Sequence, residues 1–286
     1  MIPGAFDYHR PASVEDAVRL LGQFGDDGRV IAGGHSLIPM MKMRLAQPAH
    51  LIDIGGIGGL AGVCEDGGEL VIGALTTQHD LLASDYVRAK CPLLHETAVL
   101  IADPQVRYRG TVGGNVANGD PGNDMPAVMQ CLDATYVVHG LGGERRIKAR
   151  DFYEAAYFTA LKADEILIGI RIPAPPAGHG WAYEKQKRKV GDYATAAAAV
   201  ILTLDGGRCT HAALALTNLG QTPILVDSAL VGTTVDEAAI AAACAAAEAA
   251  SDPVADMRGP VDYRRHLAGV MTDRALRRAL ARAQCH

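Results

Sequence analysis

Two short glycine-rich stretches constrain this chain more than any other feature. The first is Ala32-Gly33-Gly34-His35-Ser36, which follows Val30-Ile31 and leads into Leu37-Ile38-Pro39-Met40-Met41. The second is Thr111-Val112-Gly113-Gly114-Asn115, which closes an apolar region. Glycine lets the backbone turn sharply and leaves no Cβ between the amides and a ligand. Successive amides in such a turn form a hollow for an anion, and a helix starting just beyond adds partial positive charge. Taken singly, each stretch reads more readily as a plain turn. Taken together, they predict two loops that close on one diphosphate from opposite sides.

The rest of the composition narrows the class. The chain has 286 residues, 49% hydrophobic and 21% charged, which is ordinary for a globular protein with an ample core. Its net charge of −5 gives no global basic field for nucleic acid or anionic lipid. Six cysteines, Cys64, Cys91, Cys131, Cys209, Cys244 and Cys285, include no C-x-x-C pair, which argues against a zinc ribbon or an iron–sulfur motif within the chain. No metal site and no catalytic residue are therefore expected here. Reduced, mostly buried thiols in the cytoplasm are the simplest reading. The first residues lack the charged segment and apolar core of a signal peptide. The longest uncharged apolar run, residues 194–202, is too short to span a bilayer.

Local signals order the chain. Ser13, with Asp16 three residues on, is a capping-box-like start for a helix carrying Val14, Ala17, Val18 and Leu21. Residues 29–32 and 51–54 read as strands flanking the first glycine loop and a short helix from Leu37 to about Leu45. Gly56-Ile57-Gly58-Gly59-Leu60-Ala61 fits the G-x-G-x-x-A dinucleotide fingerprint. However, Asp66-Gly67-Gly68 turns the chain too soon for a βαβ unit, so a hairpin is expected there. Thr76 or Thr77 opens a short helix, and residues 93–102 form another, stopped by Asp103-Pro104. Residues 118–124 are a turn cluster, and a helix restarts at Pro126. Residues 134–138 and 165–172 read as strands. The proline-rich segment 173–178 is a semi-rigid linker. Beyond it come strands at 181–186 and 195–204, a hairpin turn at Asp205-Gly206-Gly207, and a strand over 209–217. Helices follow over 236–250 and 273–283, the last carrying Arg274, Arg277, Arg278 and Arg282.

The glycine loops, their separation and the C-terminal segment together resemble the FAD-binding medium subunits of the molybdenum hydroxylases, the family that includes xanthine dehydrogenase. The matching residues are A-G-G-H-S at 32–36, T-V-G-G-N at 111–115, Asp124, and Glu165-Ile166-Leu167 leading to Ile172-Pro173. Lys185-Gln186 and Tyr263-Arg264-Arg265 complete the set. The likeness covers essentially the whole chain. Asp103-Pro104-Gln105-Val106-Arg107 and Gly191-Asp192-Tyr193 point, within the family, toward the aerobic carbon monoxide dehydrogenase branch.

The resemblance implies an α+β protein. Residues 1–55 and 56–176 would form a two-part FAD-binding fold of the vanillyl-alcohol oxidase type, and residues 177–286 a small sheet-and-helix domain. FAD would lie between the first two parts. Its diphosphate would be held by the amides of Gly33, Gly34, His35 and Ser36 and of Gly113, Gly114 and Asn115, with the Ser36 and Thr111 hydroxyls adding bonds. Ala32, Leu37, Val112 and Leu167 would complete the contacts. Asp124 would accept from a ribose or ribityl hydroxyl, unless it only stabilises its turn. Lys185 would place charge at the flavin N1–O2 edge, where reduction adds electron density, unless it is a solvated strand lysine. Tyr193 would cover a flavin face or anchor its loop, and Ile101 would pack near the ring or in a helix core.

Partners follow from the same resemblance. A large subunit would hold a molybdopterin with Mo and Cu, and a small one two [2Fe-2S] clusters, in a dimer of heterotrimers. FAD would pass electrons to a quinone or cytochrome, at the cytoplasmic face of a membrane. Two alternatives stay open among enzymes: another molybdenum hydroxylase, acting on an aromatic heterocycle or an aldehyde, or a stand-alone flavin oxidase. A nucleotide-binding scaffold is the non-enzymatic alternative.

Overall fold

The computed structural model describes residues 2–285. Its first unit is a small parallel sheet built from β1 (Asp7–His9), β2 (Gly28–Ile31) and β3 (His50–Asp53), in the order β1-β3-β2. Parallel strands need crossovers. Helix α1 (Val14–Phe24) supplies one and the short α2 (Leu37–Lys42) the other. The Ser13 hydroxyl accepts from the Asp16 amide at 3.1 Å, the cap its spacing predicts, and Gly25 ends α1 at φ 52°. Ala17, Val18 and Leu21 of α1 bury against Ile52 and Ile54, and this core continues into Leu60 and Ile166 of the next unit. Thus the first unit is packed onto its neighbour rather than closed on itself.

The second unit is a five-stranded antiparallel sheet flanked by helices. Strands β4 (Val63–Asp66) and β5 (Glu69–Gly73) form the expected hairpin, with Gly67 and Gly68 at φ 61° and 80°. The G-x-G-x-x-A stretch before it starts no helix. Six helices follow: α3 (Gln78–Ala83), α4 (Asp85–Lys90), α5 (Pro92–Leu100), α6 (Pro104–Arg107), α7 (Val112–Ala117) and α8 (Asp124–Cys131). Then come β6 (Thr135–Gly140), β7 (Gly143–Lys148), a ribbon of β8 (Tyr153–Ala155) and β9 (Phe158–Thr159), and β10 (Ile166–Pro173). The sheet order is β4-β5-β10-β6-β7.

Three expectations are corrected in this unit. Asp103-Pro104 does not stop a helix but opens α6. Its carboxylate caps the Val106 amide at 2.9 Å, because aspartate followed by proline suits a helix start as well as an end. Helix α8 begins at Asp124 rather than Pro126, and all eight of its residues are buried. The second glycine stretch is no open loop: Thr111 caps it through its hydroxyl, and Val112 onward is helix.

The third unit is an antiparallel sheet, β11 (Gly180–Gln186), β12 (Ala196–Asp205), β13 (Arg208–Thr217) and β14 (Ile224–Val226), in that order. Two helices cover it, α9 (Glu237–Ala250) and α10 (Val261–Ala283). The uncharged run at the start of β12 is explained by burial on both faces. Ala197, Ala199 and Ile201 face the middle unit's core, while Ala196, Ala198, Val200 and Leu202 face α9 and α10. Gly180 lies so close to α10 that a Cβ would sit 1.8 Å from the Ala279 carbonyl oxygen.

Helix α10 is a further correction, since it begins at Val261, well before the expected 273. The polar-looking Tyr263-Arg264-Arg265 is helical because Arg264 points inward. Its guanidinium donates to the carbonyls of Thr195, Val254 and Asn218, which satisfies donors that burial would otherwise strand. All six cysteines are free, and burial pushes the Cys91 and Cys131 thiols up to about 12.

Candidate functional site

The first glycine loop leaves β2 and turns at Gly34, whose φ of 75° suits glycine. Among the described residues, the amides of Gly33, Gly34, His35 and Ser36 have no acceptor within the chain. Four neighbouring unpaired donors on a half-buried loop await an anion or water. A Cβ on Gly33 would lie 2.1 Å from the Arg109 carbonyl oxygen and 3.0 Å from the Gly110 Cα. The first loop therefore presses on the residues that lead directly into Thr111. The two stretches are neighbours in space.

The second stretch is built differently from its expectation. Val112 N–H donates to the Thr76 carbonyl at 2.8 Å and Gly113 N–H to the Ala74 carbonyl at 2.9 Å. Gly114 N–H donates to the Thr111 hydroxyl at 3.0 Å, and Asn115 N–H to the Thr111 carbonyl at 3.0 Å. The amides of Gly113, Gly114 and Asn115 are thus engaged within the chain, unlike those of the first loop. The Thr111 hydroxyl accepts as the helix cap, which leaves its own O–H as a donor. What this side offers instead is access. Gly114 is exposed, and its missing side chain would meet only the Thr111 hydroxyl. The Asn115 side-chain oxygen is buried without a partner, although Asn123 ties the Asn115 backbone at 2.8 Å. Ala32 and Leu37 flank the first loop half-buried, and Val112 is fully buried.

A second cluster forms where α8 meets β11, from residues 59 to 61 positions apart in sequence. Asp124 is 4% exposed, and its two oxygens take the Tyr183 hydroxyl at 2.6 Å and Lys185 Nζ at 2.8 Å. The Lys185 side chain is only 1% exposed. An ammonium so buried is tenable only beside a counter-charge. Beside the two expected readings of Asp124, ribose acceptor and turn stabiliser, stands a third role: it holds Lys185 and Tyr183. Lys185 is likewise no solvated lysine. It also reaches the Leu100 carbonyl at 3.3 Å, and Lys187 approaches the same oxygen at 3.5 Å. Burial, then Lys185, lowers the Lys187 amine below its usual range. Arg107 donates to the Ile101 carbonyl at 2.7 Å, so the end of α5 is gripped by three cations.

The remaining expected residues separate. Ile101 is buried at the end of α5 beside this cluster. Tyr193 is 41% exposed and lies over Gly122, whose Cβ would be 3.0 Å from its ring, with Arg258 5.9 Å from the ring centre. Burial, then Asp120, pushes its hydroxyl up to about 12. Leu167 lies in the middle core, 4% exposed on β10. The arginines of α10 serve mainly inside the chain. Arg277 pairs with Glu237 and Asp273, Arg278 with Glu184 and Glu96, and Arg282 with Glu96. Tyr183 and Glu96 were absent from the expected set. Tyr183 was recoverable, because it shares a strand face with Lys185 at a spacing of two. Glu96 carried no local signal.

Residues 4–175 match the family described as the FAD binding domain in molybdopterin dehydrogenase, and residues 181–279 the CO dehydrogenase flavoprotein C-terminal domain. The chain is 59% identical to the carbon monoxide dehydrogenase medium chain of Afipia carboxidovorans, over 99% of this chain and 100% of that one. It is 49% identical to the corresponding chain of Hydrogenophaga pseudoflava, over 99% of each. It superposes with a TM-score of 0.97 on a chain from a crystal structure of cyanide-inactivated Cu,Mo-CO dehydrogenase, at 59% identity, covering 99% of this chain and 100% of that one.

Proposed function

The chain belongs to the FAD-binding family of molybdopterin dehydrogenases, and from that premise we propose that it is the medium, flavin-carrying chain of an aerobic carbon monoxide dehydrogenase. The observation that carries the choice of enzyme is 59% identity, over 99% of this chain, to a medium chain of that activity. The complex is an oxidoreductase converting CO and water to CO₂, two protons and two electrons. Substrate is handled on a large partner subunit bearing molybdopterin with Mo and Cu. Electrons reach this chain from a small partner subunit with two [2Fe-2S] clusters and leave for a quinone or cytochrome. A dimer of such heterotrimers, touching a membrane acceptor from the cytoplasmic side, completes the reading. No helix of the described residues is long and apolar enough to cross a membrane.

The residues present fit FAD. Bound here, FAD supplies redox chemistry stable in one- and two-electron steps, which no side chain of the chain offers. The free amides of Gly33 to Ser36 hold the diphosphate, each bond to a charged oxygen contributing roughly 1.5–3 kcal/mol. Bare Gly114 admits the ligand, and the unpartnered Asn115 oxygen accepts a ribose or ribityl hydroxyl. Lys185, fixed by Asp124, presents its charge to the N1–O2 edge and favours added electron density there. Tyr193 and Ile101 exclude water from the ring. The division into parts 1–55, 56–176 and 177–286 belongs to this reading and is supported by the separate three-, five- and four-stranded sheets.

Native purification followed by absorption spectroscopy and subunit mass analysis tests the proposal. The expected result is co-purification with two further subunits and a flavin band that bleaches under CO. Bleaching by an aromatic heterocycle or an aldehyde, with none under CO, would overturn it.

A further inference from the structure

Glu96, on α5, is a single carboxylate that receives three donors from the C-terminal unit. The Tyr183 amide lies 2.8 Å and Arg278 Nη2 3.1 Å from Oε1, while Arg282 Nη2 lies 2.8 Å from Oε2. The same outer edge of β11 carries further ties. Arg282 donates to the Trp181 carbonyl at 2.5 Å and sits 4.6 Å from the centre of its ring, and Arg278 pairs with Glu184. Strand β11 is the outer strand of its sheet, so its outward amides have no ladder partner. Glu96 supplies one. Two residues beyond Tyr183 on that strand is Lys185, and the Tyr183 hydroxyl and Lys185 Nζ converge on the two oxygens of Asp124.

We propose that Glu96 is a positioning residue for the flavin-facing cation: by anchoring the Tyr183 backbone between α5 and α10, it sets where β11 delivers Lys185. This rests on the flavin reading of Lys185 given above. The anchor joins the FAD-binding family match at residues 4–175 to the helix and strand of the C-terminal match. It therefore sets the width of the cleft between them on the Lys185 side. The arginines of α10, which looked available for a partner, are the other half of this clasp. The carboxylate gathers two guanidinium groups and an amide at one point.

A double-substitution cycle in the assembled complex tests the inference, with Glu96→Ala, Lys185→Gln and the pair together. The readouts are FAD affinity by fluorescence titration and flavin midpoint potential by redox titration. Glu96→Ala is expected to weaken FAD binding about tenfold, the loss expected for one charge-assisted hydrogen bond. It should also shift the potential negative, as Lys185→Gln should. The double variant should bind no more than about twofold more weakly than Lys185→Gln alone, because both changes remove one effect. Glu96→Gln, which keeps an acceptor for the Tyr183 amide, should recover most of the affinity. It also serves if Glu96→Ala fails to assemble. Arg277→Ala, on the same helix but paired with Glu237, should match the wild type. Effects that add in the double variant overturn the inference. So does a Glu96→Ala complex that melts earlier while keeping wild-type affinity and potential. If Lys185→Gln alone changes neither readout, the premise about Lys185 fails instead, which is a distinguishable result.

Discussion

Gly33→Ala is the sharpest perturbation the cradle offers. The added Cβ would lie 2.1 Å from the Arg109 carbonyl oxygen and 2.8 Å from its carbon, both backbone atoms that cannot swing away. Ordinary contact begins near 3.4 Å, so the two segments must part by about 1.3 Å, the difference between 3.4 and 2.1. Overpacking of that kind costs typically 1–3 kcal/mol of stability. The larger effect falls on the ligand. A shift of this size takes one or two amides of the 33–36 loop out of line, and each bond to a charged oxygen contributes roughly 1.5–3 kcal/mol. FAD binding should therefore weaken by about 10- to 100-fold or more. The assay is FAD titration of the reconstituted complex, alongside thermal melting. Gly58→Ala is the control: it alters the G-x-G-x-x-A stretch where a Cβ meets nothing within 4 Å, and should change neither quantity. Wild-type FAD affinity in Gly33→Ala, or a loss in Gly58→Ala equal to it, would refute the reasoning.

Other outcomes follow from the same contacts. Lys185→Ala leaves the buried Asp124 carboxylate unpaired and should destabilise the chain by about 3–5 kcal/mol, measured by denaturant unfolding. Asp124→Asn combined with Lys185→Met should recover much of that loss while leaving FAD binding impaired. The Arg145 guanidinium, with both oxygens of Glu165 at 2.7 Å, holds that carboxyl below its usual range against the opposing effect of burial. A lowered carboxyl contributes stability that is full above about pH 4.3, the ordinary glutamate value, and is lost as pH falls through the lowered one. Glu165→Gln should thus lower stability at pH 7 and flatten its decline in acid, read from melts across pH. Arg264→Ala strands three carbonyls and should cost about 3 kcal/mol or more, whereas Arg274→Ala on the exposed face of α10 should cost nearly nothing.

Much of the architecture was legible in local signals. Ser13, Thr77 and Asp236 each cap the helix that follows, and the glycine pairs 67–68 and 206–207 each make a hairpin. Errors arose where one signal has two meanings. Asp103-Pro104 serves as a stop or a start, and only the carbonyls gathered by Arg107 at the end of α5 decide it. Arg264 looks like surface but is the core of a backbone knot, so α10 is longer than its apolar period suggests. The site shows the same division. The glycine loops were visible because backbone access is a local property. The fate of their amides was not, since Ala74 and Thr76 reach the second loop from across a sheet edge. The pairing of Asp124 with Lys185, and the gathering of Arg278, Arg282 and Tyr183 around Glu96, depend on how α5, α8 and α10 meet β11. No periodicity encodes that meeting.

The central claim is that the loop at 33–36 donates its free amides to the diphosphate of FAD, while the stretch at 113–115 only shapes the cleft. Amide hydrogen exchange on the FAD-free and FAD-loaded complex reads this directly. Exchange at Gly33 to Ser36 should slow on loading, and that of Gly113 to Asn115 should change little because those bonds exist without the ligand. Unchanged exchange at 33–36, with new protection at 56–61, would contradict the account.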